Sequence, residues 1–461
     1  MDDAAYISSL VAKARTAQAL FARDFDQEAV DRIIRQIAKV TYYKAEELAR
    51  MAADETAMGG YEYKVKKIRG KARIFWYGLR DKKSMGVISR DPQTGITEIA
   101  KPVGVVGAIQ PCTNPIVTPL GNTMAALKGK NAIIIAPHPR GKLCTRTVVA
   151  LWRELLVKNG APADVVQDVE DISLERTKLL MQMADVVVAT GGHGMVKAAY
   201  SSGKPSFGVG AGNVQVVLDR GIDLKEALSK IIEGRTFDNG IICAGEQTII
   251  APKEMMAALI AELKAQKVHV TESGEEKARV AACLFPKKAT LNKDLIGKPI
   301  SAIAAAAGLT VRDGTVAIAI PVDAADHQSD LRREKMFPVL ALFSYGTFDE
   351  ALAIVEENLS LEGKGHTVSI HSNDTANIEK LGTRAPVSRV IVNAPSATTA
   401  GGSFSNGLSP TSTLGCGSWG NNSISENFYY RHLLNITRIA TVRTDCTVPS
   451  DEELFGPRDE P

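Results

Sequence analysis

Residues 185–194 read DVVVATGGHG: an unbroken apolar run, two adjacent glycines, and then MVKAAY, which has the composition of a helix. A short apolar run closed by a glycine turn and followed by a helix is the pattern of a fully buried strand feeding a crossover. The same alternation extends outward from this stretch. On its N-terminal side GVVGAIQP (104–111), AIIIAP (132–137) and DVVQDV (164–169) read as strands, separated by helices over 117–130, 142–159 and 173–183. On its C-terminal side VQVVLD (214–219) is a strand, followed by a helix at 223–234, a strand at 247–251 and a helix at 253–266, with further alternation to about residue 395. Strands alternating with helices of ten or more residues imply an α/β fold with parallel sheets covered on both faces.

The first eighty residues are helical, with Val30, Ile33, Ile34, Ile37 and Val40 at three- and four-residue steps. Residues 85–104 switch to a hairpin pattern around Asp91-Pro92-Gln93-Thr94-Gly95. Three regions are expected. Residues 1–220 would form a cofactor-binding domain carrying the hairpin, and 221–395 a catalytic domain, the two joined near 219–222. Residues 396–461 would return to the first domain as a helix and an edge strand used for oligomerisation.

Composition excludes several classes. The 461 residues are 45% hydrophobic and 23% charged with a net charge of +3, an ordinary globular balance that offers no nucleic-acid surface. The locally basic KVKKIRGKAR (64–73) reads as a solvated helix face. The opening MDDAAYISSL lacks the apolar core of a secretory signal, and no apolar run approaches the ~18 residues of a membrane span. The six cysteines, at 112, 144, 243, 283, 416 and 446, have neither paired nor CxxC spacing, which argues against disulfides and a metal site and for the cytoplasm.

Cys243 lies in FDNGIICAGEQTII (237–250), just after a turn signal and before a strand. A thiol on such a loop is reachable and can be activated by backbone N–H groups; the alternative is a small hydrophobe packed under the loop. Asn114, in PCTNP beyond the 104–111 strand, either donates its amide to a developing oxyanion or caps the helix that follows. Thr190, Gly191, Gly192 and Gly194, and the glycines of GVGAGN (208–213) including Gly210, suit close approach of a dinucleotide or serve as tight turns.

Together KPVGVVGAIQPCTNP, ATGGHGMVKAA and NGIICAGEQTII resemble the aldehyde dehydrogenase superfamily over essentially the whole chain. VKAAYSSGKPSFGVGAGN, ATTAGGSFSNG and LGCGSWGNNSISEN are similar to its CoA-acylating branch. The resemblance implies a Rossmann-like cofactor domain, an α/β catalytic domain and a small β oligomerisation element. It makes Cys243 the nucleophile and Asn114 its oxyanion partner, with NAD or NADP as hydride acceptor and CoA as co-substrate. Hydrolytic members carry a glutamate base where this chain has Gly208, so the thioester is expected to await CoA rather than water. APHPRGK, with Pro137, His138, Arg140 and Lys142, has no acid to repel a 2′-phosphate and favours NADP; these residues could instead grip pyrophosphate or lie on the surface. The resemblance also offers His366, in GKGHTVSIHS, as an aid to CoA deprotonation, and Glu334 as a nicotinamide-ribose ligand. Cys416 reads as packing, and Arg389 as a partner for an anionic substrate.

The expected substrate is a short anionic aldehyde, succinate semialdehyde or sulfoacetaldehyde, ahead of acetaldehyde or propionaldehyde. A homodimer or dimer of dimers is implied. A hydrolytic dehydrogenase, and a catalytically silent protein of the same fold, are the competing readings.

Overall fold

A computed structural model describes residues 2–458. Four helices come first, Asp3–Asp24, Gln27–Tyr43, Ala45–Thr56 and Tyr61–Leu79. The stripe Val30, Ile33, Ile34 and Ile37 of the second is wholly buried, so its amphipathic period is what attaches it to the core. A five-stranded sheet follows, ordered Val166–Asp168, Ala132–Ala136, Val105–Ile109, Val186–Thr190, Ser206–Val209, with every pairing parallel. Every residue of Ala132–Ala136 and Val105–Ile109 is buried, as a parallel sheet covered on both faces requires.

The second sheet has seven strands, all parallel, in the order Val268–Val270, Ala317–Pro321, Val339–Tyr345, Glu246–Pro252, Val214–Leu218, Val368–His371, Val390–Val392. Val214–Leu218 therefore belongs to this sheet, and the chain crosses between sheets at 210–213 rather than at 219–222. A buried run such as VQVVL carries no mark of which sheet it joins, so its pattern could not locate the junction.

The hairpin strands Gly86–Asp91 and Ile96–Pro102 are joined by Leu434–Ala440, which pairs antiparallel with Ile96–Pro102. Ahead of that last strand the expected helix is only a 3₁₀ turn, Tyr430–Leu433. Phe428, Tyr430, Leu433 and Leu434 pack into the first core, which draws the chain back to the five-stranded sheet. No helix among the described residues is long and apolar enough to cross a membrane.

Candidate active site

The Cys243 loop is built by three consecutive left-handed residues, Asp238 (φ 51°), Asn239 (φ 54°) and Gly240 (φ 78°). Asp, Asn and Gly tolerate this region better than other residues, which is why DNG appears here. The strain is held from outside the loop. Fully buried Asp238 accepts a hydrogen bond from Gly60 N (3.0 Å) and forms ion pairs with Lys67 and with Lys64 (3.5 Å). Asn239 Nδ2 donates to Gly297 O (2.9 Å). Arg235, also fully buried, donates to the carbonyls of Gly240 and Glu246 (2.7 Å to the latter), clamping both ends of the loop.

Helix Tyr61–Leu79 is thus not a solvated basic face. Lys64 and Lys67 are buried against Asp238, and Lys71, one turn further on, lines a cavity beside Cys243. The periodicity of 64–73 was legible; the buried carboxylate that turns its lysines inward comes from a segment more than 160 residues away.

Two cavities meet at the thiol. One, of about 260 Å³, is lined by Lys66, Lys67, Lys71, Phe237, Thr398 and Phe404 among others. The other, of about 520 Å³, runs past Pro137, His138, Thr190, Gly191, Gly192, Gly210 and Glu334 along the C-terminal ends of the first sheet. Asn114, Cys243 and Ser412 line both. Cys243 is half-buried, and its thiol is pushed up to about 12, first by burial and then by Glu334 and Cys416, with Arg389 and the Ala244 N–H acting the other way. Its own N–H has no hydrogen-bond partner among the described residues.

Asn114 does not cap the following helix. That helix, Val117–Lys128, starts after Ile116 without a side-chain cap, and the Asn114 amide reaches only Thr113 Oγ1 at 3.5 Å. Its amide is free to donate into the space in front of Cys243.

The larger cavity fits a dinucleotide. Helix His193–Tyr200 begins at Gly192 with no side-chain cap, leaving its first N–H groups open. β-carbons built at Gly192 or Gly210 would meet nothing within 4 Å, so the walls there are bare backbone. Gly194 is exposed and outside the lining. His138 lines the cavity and accepts a hydrogen bond from Arg140 N (3.1 Å); burial and the Arg140 charge lower its pKa. Arg140 itself is exposed, with its guanidinium on Thr56 O (2.5 Å), and Lys142 is exposed; neither lines the cavity.

Three other expectations are corrected. His366 is fully buried, touches neither cavity, and is held neutral with its pKa lowered to about 3 by burial and by Arg389; its Nδ1 contacts Thr367 Oγ1 at 3.0 Å. Arg389 lines neither cavity, and its guanidinium is spent on Thr367, Asn427 and the carbonyls of His366 and Gly415. Gly208 points into a packed wall: a β-carbon there would lie 2.7 Å from Val196 Cγ1 and 2.9 Å from Tyr200 Cε2. A longer side chain does not fit without moving helix His193–Tyr200. Cys416 is buried with Sγ on Leu414 O (3.4 Å), as a packing residue should be.

Sequence reasoning missed Lys71, Ser412 and Glu246. Ser412 Oγ is buried without a partner at the meeting of the cavities. Glu246, three residues after the thiol, accepts from Ser396 N (2.6 Å) and ties the loop to the 395–399 turn of the smaller cavity. Only its spacing from Cys243 pointed to it.

The chain belongs to the aldehyde dehydrogenase family, whose sequence profile matches residues 1–428. Within that family it falls in the CoA-acylating branch. It is 47% identical over 456 residues to the succinate-semialdehyde dehydrogenase (acetylating) of Clostridium kluyveri, covering 99% of this chain and 100% of that one. It is 38% identical over 455 residues to a sulfoacetaldehyde dehydrogenase of an Acholeplasma species, covering 98% and 93%. A solved acetylating aldehyde dehydrogenase from Geobacillus thermoglucosidasius superposes with a TM-score of 0.92 at 34% identity, covering 97% and 98%.

Proposed function

We propose that this enzyme oxidises a short anionic aldehyde, succinate semialdehyde first and sulfoacetaldehyde second, to its acyl-CoA with NAD(P)+. The observation that carries this reading is the junction at Cys243: one cavity brings a cation to the thiol and the other offers a dinucleotide-sized cleft. Lys71 Nζ donates to the carbonyls of Gly401 (3.1 Å) and Thr411 (3.2 Å) and has no carboxylate partner among the described residues. It is therefore available to a carboxylate or sulfonate at the far end of the substrate, the role first given to Arg389.

In the first half-reaction the Cys243 thiol gives up its proton, which leaves to solvent, its sulfur bonds to the aldehyde carbon, and the resulting alkoxide lies between the Asn114 amide and the Cys243 N–H. A nicotinamide bound in the larger cavity supplies the hydride acceptor. Cys243 is left as a thioester. Gly208 lines neither cavity and a side chain there would run into Val196 and Tyr200, so it neither supplies nor withholds a base at the thiol; resolution by CoA thiol is supported instead by the acetylating relatives. NAD and NADP are both accommodated in this reading, because no carboxylate lines the 137–139 turn to repel a 2′-phosphate. The exposed Ile439 and Val442, at and beyond the end of the edge strand, support a homodimer or dimer of dimers, and six free cysteines suit a cytoplasmic enzyme.

The test is NADH and NADPH formation from succinate semialdehyde, sulfoacetaldehyde and acetaldehyde, each with and without CoA. Strict CoA dependence with the anionic aldehydes fastest is expected. Equal rates without CoA would mean that water resolves the thioester, and a preference for acetaldehyde would remove the role of Lys71.

A further inference from the structure

The CoA half-reaction needs a proton acceptor, because CoA arrives as a thiol and attacks as a thiolate. The earlier candidate, His366, does not serve, because it is sealed in the core. Among the described residues lining the larger cavity, Glu334 is the one carboxyl group.

Its position is fixed on both sides. Glu334 N donates to Glu362 Oε2 (2.9 Å), and its own Oε1 accepts from Gly212 N (3.3 Å). Gly212 in turn packs directly on the backbone of Cys243. Glu334 is only 8% exposed yet lines the same cavity as the thiol, and its charge raises the thiol's pKa.

We propose that Glu334 is the general base of acyl transfer to CoA, a role beyond any contact it makes with the nicotinamide ribose. The assignment rests on the acylating reading above. The CoA S–H proton passes to the Glu334 carboxylate as the sulfur bonds to the thioester carbon. The tetrahedral intermediate, its oxyanion held by Asn114, collapses with cleavage of the bond to Cys243 Sγ. Glu334 then returns the proton to the departing Cys243 thiolate. One proton leaves CoA and one reaches Cys243, and no electrons are exchanged.

The surroundings suit the task. Burial and the neighbouring Glu362 carboxyl raise the Glu334 pKa, the Gly212 N–H, Arg235 and Lys335 oppose them, and the result is about 8. A thiol with a pKa of about 8.5 gives its proton to such a base almost evenly. The ionised carboxylate also disfavours a neighbouring Cys243 thiolate, which drives the proton back onto Cys243 at the end of the step.

Exchange of isotopically labelled CoA into succinyl-CoA tests this without any nicotinamide, since it needs only acylation and deacylation of Cys243. The wild-type exchange rate should rise with pH with a midpoint near 8. Glu334→Gln should slow exchange roughly a hundredfold or more and remove that midpoint, while Glu334→Asp should restore part of the rate. Exchange by the Gln variant at the wild-type rate and with the wild-type pH profile would overturn the assignment, even if its affinity for NADH, read by fluorescence titration, had fallen. Absence of exchange in the wild-type enzyme would instead remove the acylating reading itself. Thermal melting of both variants separates a lost base from a lost fold.

Discussion

Gly212 packs so closely on the Cys243 loop that a β-carbon built at position 212 would fall 1.8 Å from the carbonyl oxygen of Cys243. No side chain fits there without moving the loop. Gly212→Ala is expected to displace Cys243 relative to Asn114 and to loosen the Gly212–Glu334 hydrogen bond. Misplacement of reacting groups by about 1 Å costs on the order of a hundredfold in rate, and overpacking costs about 1–3 kcal/mol of stability. Steady-state kinetics together with thermal melting check this. A variant with wild-type turnover would mean that the loop is free to shift.

The thiol's burial makes a second outcome measurable. Because its pKa is pushed up to about 12, Cys243 should be mostly protonated in the ligand-free enzyme at pH 7. Alkylation by iodoacetamide, followed by mass spectrometry of the Cys243 peptide, should be slow at pH 7 and accelerate about tenfold per pH unit up to pH 9.5. The Lys71 ammonium and the Cys243 thiolate favour each other, so Lys71→Met should slow labelling below about pH 8, where the ammonium is charged, and change it little above that. Rapid, pH-independent labelling of wild type at pH 7 would show that the thiol is already ionised.

Asn114 carries a third. With its amide free of any capping role, Asn114→Ala removes one oxyanion donor and leaves the helix start intact. The expected loss is about a hundred- to a thousandfold in kcat with little change in Tm. A large fall in Tm with kcat preserved would assign the residue to structure instead.

What the sequence made legible divides along a physical line. Unbroken apolar runs reported both parallel sheets, because a strand covered on both faces must be apolar throughout. Cys243 and Asn114 each had a structural use open in the sequence beside the chemical one, and the structure places both at the meeting of the two cavities, with Asn114 free of the helix cap. Lys71 was not legible, because a lysine on a polar helix is ordinarily solvated, and only the long-range partner Asp238 turns that face inward. His366 and Arg389 failed in the opposite sense. Their side chains have catalytic chemistry, yet His366 is walled in by packing and Arg389 saturates itself on carbonyls, and neither condition leaves a trace in spacing.

The burial of His366 has a consequence for stability. Its pKa falls from 6.5 in the unfolded chain to about 3 in the fold, so between these values the unfolded state binds the extra proton. Stability should therefore be intact above about pH 6.5 and decline as pH falls toward 3. His371, lowered to about 4 by burial and by Lys230, adds to the same trend. Urea midpoints at pH 7.5 and 5.0 should differ less in His366→Asn than in wild type. An equal difference in both would show that the imidazole does not couple to acid unfolding.

Lys71 offers the sharpest test of substrate class. Its ammonium is desolvated, with its pKa lowered to about 8 by burial, although Cys243 pulls the other way. A substrate carboxylate placed against it would stabilise the charged form and gain a charge-assisted hydrogen bond, worth about 1.5–3 kcal/mol. Lys71→Met preserves the length and apolar stem of the side chain and removes only the charge. It should lower kcat/KM for succinate semialdehyde about ten- to a hundredfold while changing that for butyraldehyde, which lacks the carboxylate, by less than about threefold. The affinity for substrate should also weaken as pH rises through 8 in wild type, because the ammonium is lost there, and should be flat in the variant. Equal losses on both aldehydes would assign Lys71 to shaping the cavity wall through Gly401 and Thr411, and the anionic terminus would need another partner.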